Sequence, residues 1–179
     1  MREVILQAGA AAFGTGQHPT TMLALQAMFA LKEGGGEFRR ILDMGCGSGI
    51  LSLVAKRLWP QAGVLAVDSE AAALEAAQAN AEENGVEGIR FLRSEGFAHR
   101  EVAEGAPYDL VLCNIFAEPI LRMAAPMSQA AVGILVLSGI LPWLEEQVTD
   151  AYGQAGFIHR RTLAQEQWRC LVMEKSGAA

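Results

Sequence analysis

The segment that most constrains the fold is Ile41-Leu42-Asp43-Met44 followed by Gly45-Cys46-Gly47-Ser48-Gly49 and the apolar stretch ILSLVAKRLW. An aliphatic run that breaks into three alternating glycines and resumes as an alanine- and leucine-rich stretch is a strand, a tight loop and a helix. The same alternation continues downstream. Val64 to Asp68 predicts a second strand, Ser69 an N-cap with Glu70 in the first turn, and the helix behind it stops at Asn84-Gly85. Strands follow at Ile89 to Arg93, Tyr108 to Ile115 and Gly133 to Ile140, with helices over Glu118 to Ala131 and from Pro142 to Gly156. Ser94 to Pro107 is a loop, or a loop holding one short helix. Upstream, Pro19 opens a helix that ends at Gly34-Gly35-Gly36.

Repeated βα units build a mostly parallel sheet with helices on both faces, and the near-continuous apolar strands suit burial on both sides. The last two runs, FIHRRTL and QWRCLVME, are joined by too few residues for a parallel crossover and must be antiparallel. The expected fold is therefore α/β, a doubly wound, mostly parallel seven-stranded sheet of Rossmann-like type with an antiparallel C-terminal strand. A chain of 179 residues suffices for one such domain.

Composition excludes several functions. The formal charge of −6 disfavours nucleic acid and favours a basic partner. No apolar run reaches the roughly 20 residues of a membrane span, and the N-terminus lacks the form of a signal peptide, so a cytoplasmic location is expected. Cys46, Cys113 and Cys170 are scattered, without C-x-x-C pairs, and read as buried packing residues rather than a zinc site or disulfides. His99 and His159 read as structural. His18 is more open because of its neighbours.

The glycine spacing D-x-G-x-G-x-G differs from the G-x-G-x-x-G of dinucleotide folds, but the physical need is related. Gly45, Gly47 and Gly49 let a ligand approach the backbone, and N–H groups at the next helix start can meet a carboxylate. Asp43 is placed to accept from a ligand ammonium, directly or through water. Asp68, at the end of the second strand, suits the two hydroxyls of a ribose, though it can also serve as a helix-start residue. Glu95, after the third strand, can meet an adenine amino group or sit in a solvated loop. Asn114 ends an otherwise apolar strand, where its amide needs partners. It can bond a neighbouring loop, or face a reacting amine as the one catalytic candidate.

The string AFGTGQHPTT (Ala12 to Thr21), then LDMGCGSGILSL, Asp68, LCNIFAEPI and VLSGIL resembles, in order and spacing, the PrmA-type ribosomal protein lysine methyltransferases that act on the large-subunit stalk-base protein. The resemblance implies S-adenosylmethionine as cofactor, contacted by Thr21, Gly45, Asp68 and Asn114, with Phe13, Gly14 and the loop through His18 folding over it. It implies an N-methyltransferase acting on lysine or N-terminal amines of a basic ribosomal protein. Residues 1–179 then form one catalytic domain: residues 1–39 are a cofactor-covering loop and helix, residues 40–179 are the core, and the small N-terminal substrate-recognition domain of the family is absent.

The chemistry agrees with the lack of a strong base. Transfer from a sulfonium needs a neutral amine, and a free lysine has a pKa near about 10.4. An apolar cavity lowers that value, and alignment supplies much of the rate. Glutamine-modifying relatives of the fold carry N-P-P-[YF] where this chain has Asn114-Ile115-Phe116-Ala117, so an amine is favoured over an amide. The alternatives are a same-fold methyltransferase of another protein or small molecule, and a non-catalytic cofactor-binding module.

Overall fold

The computed structural model describes residues 18–177. Its centre is a seven-stranded sheet in the order β3-β2-β1-β4-β5-β7-β6. The strands are β1 (Arg40–Met44), β2 (Gly63–Asp68), β3 (Ile89–Arg93), β4 (Tyr108–Asn114), β5 (Ala131–Ile140), β6 (Phe157–Gln165) and β7 (Trp168–Lys175). β1 to β5 pair in parallel, while β7 lies antiparallel between β5 and β6. The chain winds outward from β1 to β3, returns to β4 and winds the other way. That reversal puts a crevice at the carboxyl ends of β1 and β4, where open α/β sheets bind ligands.

Side-chain alternation explains why helices cover both faces. Ile41, Val64, Leu110, Leu112 and Val136 face a core shared with α1 (Pro19–Glu33) and α2 (Ile50–Leu58), which contribute Leu23, Met28, Leu51 and Val54. Their sequence neighbours Leu42, Val67, Val111, Leu135 and Leu137 face the other core. There they meet Ile120 of α5 (Ala117–Arg122), Met127 of α6 (Ala124–Ala130) and Val148 and Tyr152 of α7 (Glu145–Gln154). A strand buried on both sides has no polar position to spare, which is why these runs read as unbroken apolar sequence. The remaining helices are α3 (Ala71–Glu83) and the short α4 (Arg100–Glu104).

The expected α1 is present. Pro19 occupies its first turn, His18 Nδ1 accepts from the Thr20 N–H, and Gly34 caps its end. Behind it, the Trp59 indole N–H donates to the Gly36 carbonyl at 2.8 Å and its ring meets Phe38 edge to face at 4.9 Å. That contact seats the α1–β1 turn against the end of α2.

Four expectations need correction. Ser69 is not the cap of α3: Glu70 occupies that position without a side-chain bond, and Asp68 Oδ1 accepts from the Glu70 N–H instead. The helix expected over residues 118–131 is two helices broken at Met123, because Pro126 has no N–H to offer the Arg122 carbonyl and fits only in a first turn. The helix expected from Pro142 begins as a 3-10 turn over Pro142–Leu144 before α7. β5 also starts two residues early, at Ala131, where it pairs with Tyr108. The Ser94 to Pro107 segment does hold one short helix, α4, which His99 caps by accepting from the Glu101 N–H.

Candidate active site

A cavity of about 780 Å³ opens at the carboxyl edge of the sheet, within the size range of small-molecule sites. Its base is the glycine loop between β1 and α2. Gly45 and Cys46 donate backbone N–H groups to the Val67 carbonyl at 2.7 and 2.9 Å, which lays the loop across the end of β2. Gly45 has φ +74°, and a Cβ on it would stand 2.4 Å from Ile115 Cγ2. Only glycine holds that close approach. Gly47 lines the cavity, and its N–H donates to Asp68 Oδ2 at 2.9 Å. Gly49 does not line it. It caps α2 in the left-handed conformation and allows α3 to pack, since its Cβ would reach 2.9 Å from that of Ala77.

Asp43 lies behind the loop rather than on the cavity wall. One of its oxygens accepts from the Ser52 N–H and hydroxyl at 3.0 and 2.6 Å, pinning the first turn of α2. Its Oδ1 is buried with no partner. Burial raises its pKa from 3.8 to about 6, against the lowering effect of the Ser52 bonds and with a smaller push from the charge of Asp68. Of the two contacts with a ligand ammonium expected from sequence, directly or through water, a place behind the loop suits the one through water.

Asp68 sits where either reading from sequence would put it. It lines the cavity, and its carboxylate accepts from Gly47 and Glu70 backbone N–H groups, so it fixes the loop and starts α3. Each carboxylate oxygen keeps a further lone pair for a ligand hydroxyl. Glu95 stands exposed on the cavity rim. The buried neighbour Ser94 forms the turn by donating to the Gly96 carbonyl and accepting from the His99 N–H.

Asn114 and Thr21 meet on the opposite wall. Asn114 Nδ2 donates to Thr21 Oγ1 at 3.2 Å, and Asn114 Oδ1 is left buried without a partner. Thr21 is 0% exposed. Its helix is tied down beside it, since the buried Ser138 hydroxyl of β5 donates to the Thr20 carbonyl at 2.7 Å. The expected residues Thr21, Gly45, Gly47, Asp68, Glu95 and Asn114 therefore gather around one cavity, whereas Asp43 and Gly49 support it from outside. Phe13 and Gly14 lie outside the described residues.

Sequence reasoning missed Trp168, Gly139 and Phe116, all of which line the cavity. Trp168 begins β7 and packs edge to face on His18 at 5.4 Å. Its place follows from β7 running antiparallel to β5, so that β7 begins at the carboxyl edge where β5 ends. Gly139 has φ +89°, and a Cβ there would lie 2.2 Å from the Ile115 carbonyl oxygen. The chain segments leaving β4 and β5 thus pass backbone against backbone. Cys46, Cys113 and Cys170 are all buried and free, and burial is the main cause raising each thiol's pKa, so none is a ready thiolate nucleophile. Among the described residues, no group of three His, Cys, Asp or Glu is arranged to hold a metal ion, and no helix is long and apolar enough to cross a membrane.

Comparison with known proteins assigns this arrangement to a family. The family model "Ribosomal protein L11 methyltransferase (PrmA)" matches residues 2–176. The chain belongs to the PrmA family. It is 35% identical over 172 residues to the ribosomal protein L11 methyltransferase of Caulobacter sp. (strain K31), covering 95% of this chain and 58% of that protein. It is 43% identical over 143 residues to the Cupriavidus pinatubonensis protein of the same name, covering 79% of this chain and 44% of that one. The chain thus spans about half the length of the curated PrmA relatives it matches. Among solved structures, the ribosomal protein L11 methylase of Lactobacillus delbrueckii subsp. bulgaricus superposes with a TM-score of 0.80 at 27% identity, covering 93% of this chain and 82% of that chain. The fold is also that of magnesium protoporphyrin IX methyltransferase from Synechocystis PCC 6803 with bound SAM, at a TM-score of 0.70 and 21% identity, covering 88% of this chain and 79% of that chain. The expected doubly wound sheet and the family resemblance both stand.

Proposed function

We propose that the cavity binds S-adenosylmethionine and that the chain transfers its methyl group to an amine of a ribosomal protein. The residues present suit that cofactor. Gly45 and Gly47 give backbone access, Asp68 offers free lone pairs for ribose, and Glu95 is within the same cavity for adenine. The observation that carries the reading is the buried, unpartnered Oδ1 of Asn114 on the cavity wall. A buried acceptor left unmet costs about 1–3 kcal/mol, so a site that keeps one is built for a donor that arrives with the ligand.

Bound there, the cofactor supplies an electrophilic methyl group on a sulfonium whose departure leaves a neutral thioether. Asn114 Oδ1 accepts an N–H of the incoming amine and directs its lone pair. Thr21 holds the amide in that orientation through its hydroxyl. Ile115 and Met123 supply an apolar wall that disfavours the ammonium and so lowers the amine's pKa. The chain then needs no dedicated strong base, and among the described residues the cavity's only candidate bases are carboxylates and His18.

The family and the charge of −6 favour a basic ribosomal protein as the methylated partner and the cytoplasm as the place of action. Calorimetric titration with S-adenosylmethionine, followed by incubation of labelled cofactor with purified ribosomal proteins, tests the reading. Stoichiometric binding and label on one protein's amines are expected. A flat titration would remove the cofactor assignment, and binding without labelled product would remove the activity.

A further inference from the structure

Phe116 follows Asn114 by two residues, is 71% exposed and belongs to neither large core cluster, yet it lines the cavity. Tyr108, Tyr152, Phe157 and Trp59 are buried, and among the described phenylalanines, tyrosines and tryptophans only Phe116 and Trp143 are exposed. Phe116 therefore spends a large apolar ring on solvent at the mouth of the site. It is not isolated. His18 and Trp168, in edge-to-face contact, lie on the wall of the same cavity. Trp143, in the 3-10 turn that follows β5, is 72% exposed at the same carboxyl edge of the sheet. The contact between Ile115 and Gly139 keeps the two segments that carry Phe116 and Trp143 together as they leave their strands.

Charge around the mouth has one sign in excess. Among the described residues Asp68, Glu70 and Glu95 line the cavity, and the one lining arginine, Arg122, is paired with Glu118 at 2.8 Å. Aromatic faces with acidic neighbours attract a weakly hydrated cation, and alkylated ammonium groups are the strongest such ligands because each methyl removes a water-binding N–H. Methylation of an amine produces that species. Each methyl added leaves a product that is cationic at neutral pH, bulkier and less hydrated than the amine before it.

We propose that Phe116 is a specificity residue for the amine side of the site, forming with Trp168 and His18 an aromatic face that holds methylated ammonium groups of a flexible cationic peptide, with Trp143 extending the apolar rim along the peptide. This rests on the N-methyltransferase reading of the same cavity. The face serves two steps. It retains the partly methylated side chain between transfers, which favours multiple methylation. It also grips the aliphatic stem of the incoming residue while Asn114 takes the N–H.

The test uses the whole chain saturated with the demethylated cofactor, S-adenosylhomocysteine. The probes are a trimethyllysine-containing basic peptide and the same peptide with the neutral carbon isostere, in which the quaternary nitrogen is replaced by carbon. The wild-type chain is expected to bind the cationic peptide about tenfold more tightly than the isostere, a preference within reach of cation–aromatic contact. Phe116→Leu keeps the apolar bulk and should reduce the preference to about twofold or less. Phe116→Tyr should restore it, and cofactor affinity should stay within about twofold in all variants. Equal binding of the two peptides by the wild-type chain overturns the proposal, as does an undiminished preference in Phe116→Leu. A preference retained by a chain that transfers no methyl group to any amine would leave the aromatic face standing and remove the catalytic reading, so the two failures are separable. In an active chain, Phe116→Leu should also raise the ratio of monomethylated to trimethylated product, and an unchanged ratio would overturn the role in repeated transfer.

Discussion

Replacing Asp43 by asparagine should abolish a pH dependence of stability that the wild-type chain carries. Asp43 is fully enclosed under the glycine loop with one oxygen unpartnered, and its carboxyl pKa is raised from 3.8 to about 6. Between those values the folded chain binds more protons than the unfolded one, so stability falls as pH rises from about 4 to about 6 and then levels off. A shift of about two units corresponds to about 3 kcal/mol of stability present at low pH and lost above the folded pKa. The asparagine variant has no such term, whatever constant offset its amide introduces. Urea unfolding of both cofactor-free chains at pH 4 and pH 7.5 gives the comparison: the stability of Asp43→Asn relative to wild type should improve by about 2–3 kcal/mol at the higher pH. Cofactor-free protein matters, since a cation bound in the adjoining cavity would favour the carboxylate. A relative stability that stays constant across this range would show that the buried charge is compensated and that the reasoning is wrong.

Asp68→Ala should cost about 2 kcal/mol or more of cofactor affinity, roughly 30-fold by calorimetry, because charge-assisted bonds to ribose and the anchoring of Gly47 are lost together; unchanged affinity in a folded variant would make Asp68 a helix-start residue alone. Gly139→Ala should destabilise the chain by at least about 2 kcal/mol in urea unfolding, since its Cβ would meet the Ile115 carbonyl at 2.2 Å. Gly35→Ala, with similar φ but nothing within 4 Å, should cost only about 1 kcal/mol and serves as the control. Ser138→Ala removes the donor to the Thr20 carbonyl and should lower stability by about 1 kcal/mol, with turnover falling further because Thr21 is no longer held against Asn114.

The strands were legible because burial on both faces leaves continuous apolar runs, and the glycine loop was legible because its φ values admit little else. The helix at residues 118–131 was misread in one respect: apolar periodicity runs through Met123, and only the missing N–H of Pro126 breaks it. Ser69 was misread as a cap because a serine before a helix usually is one, whereas the adjacent Asp68 carboxylate had already taken the Glu70 N–H. Asp43 shows the limit of motif reading: spacing marked an acid beside the loop but could not tell the loop's ligand side from its underside. Trp168 and Gly139 were missed for a different reason. Gly139 reaches the cavity because β5 lies beside β4, and Trp168 because β7 runs antiparallel to β5; both depend on strand order, which leaves no local pattern.

The central claim is that Asn114 acts on methyl transfer through its unpartnered oxygen rather than by holding the cofactor. Single-turnover methyl transfer by Asn114→Ala, with cofactor affinity measured separately on the same preparation, tests it most directly. The rate should fall about 10²-fold while cofactor affinity changes by no more than a few-fold. Losses of equal size in rate and affinity would reduce Asn114 to a cofactor contact, and a wild-type rate would contradict the account outright.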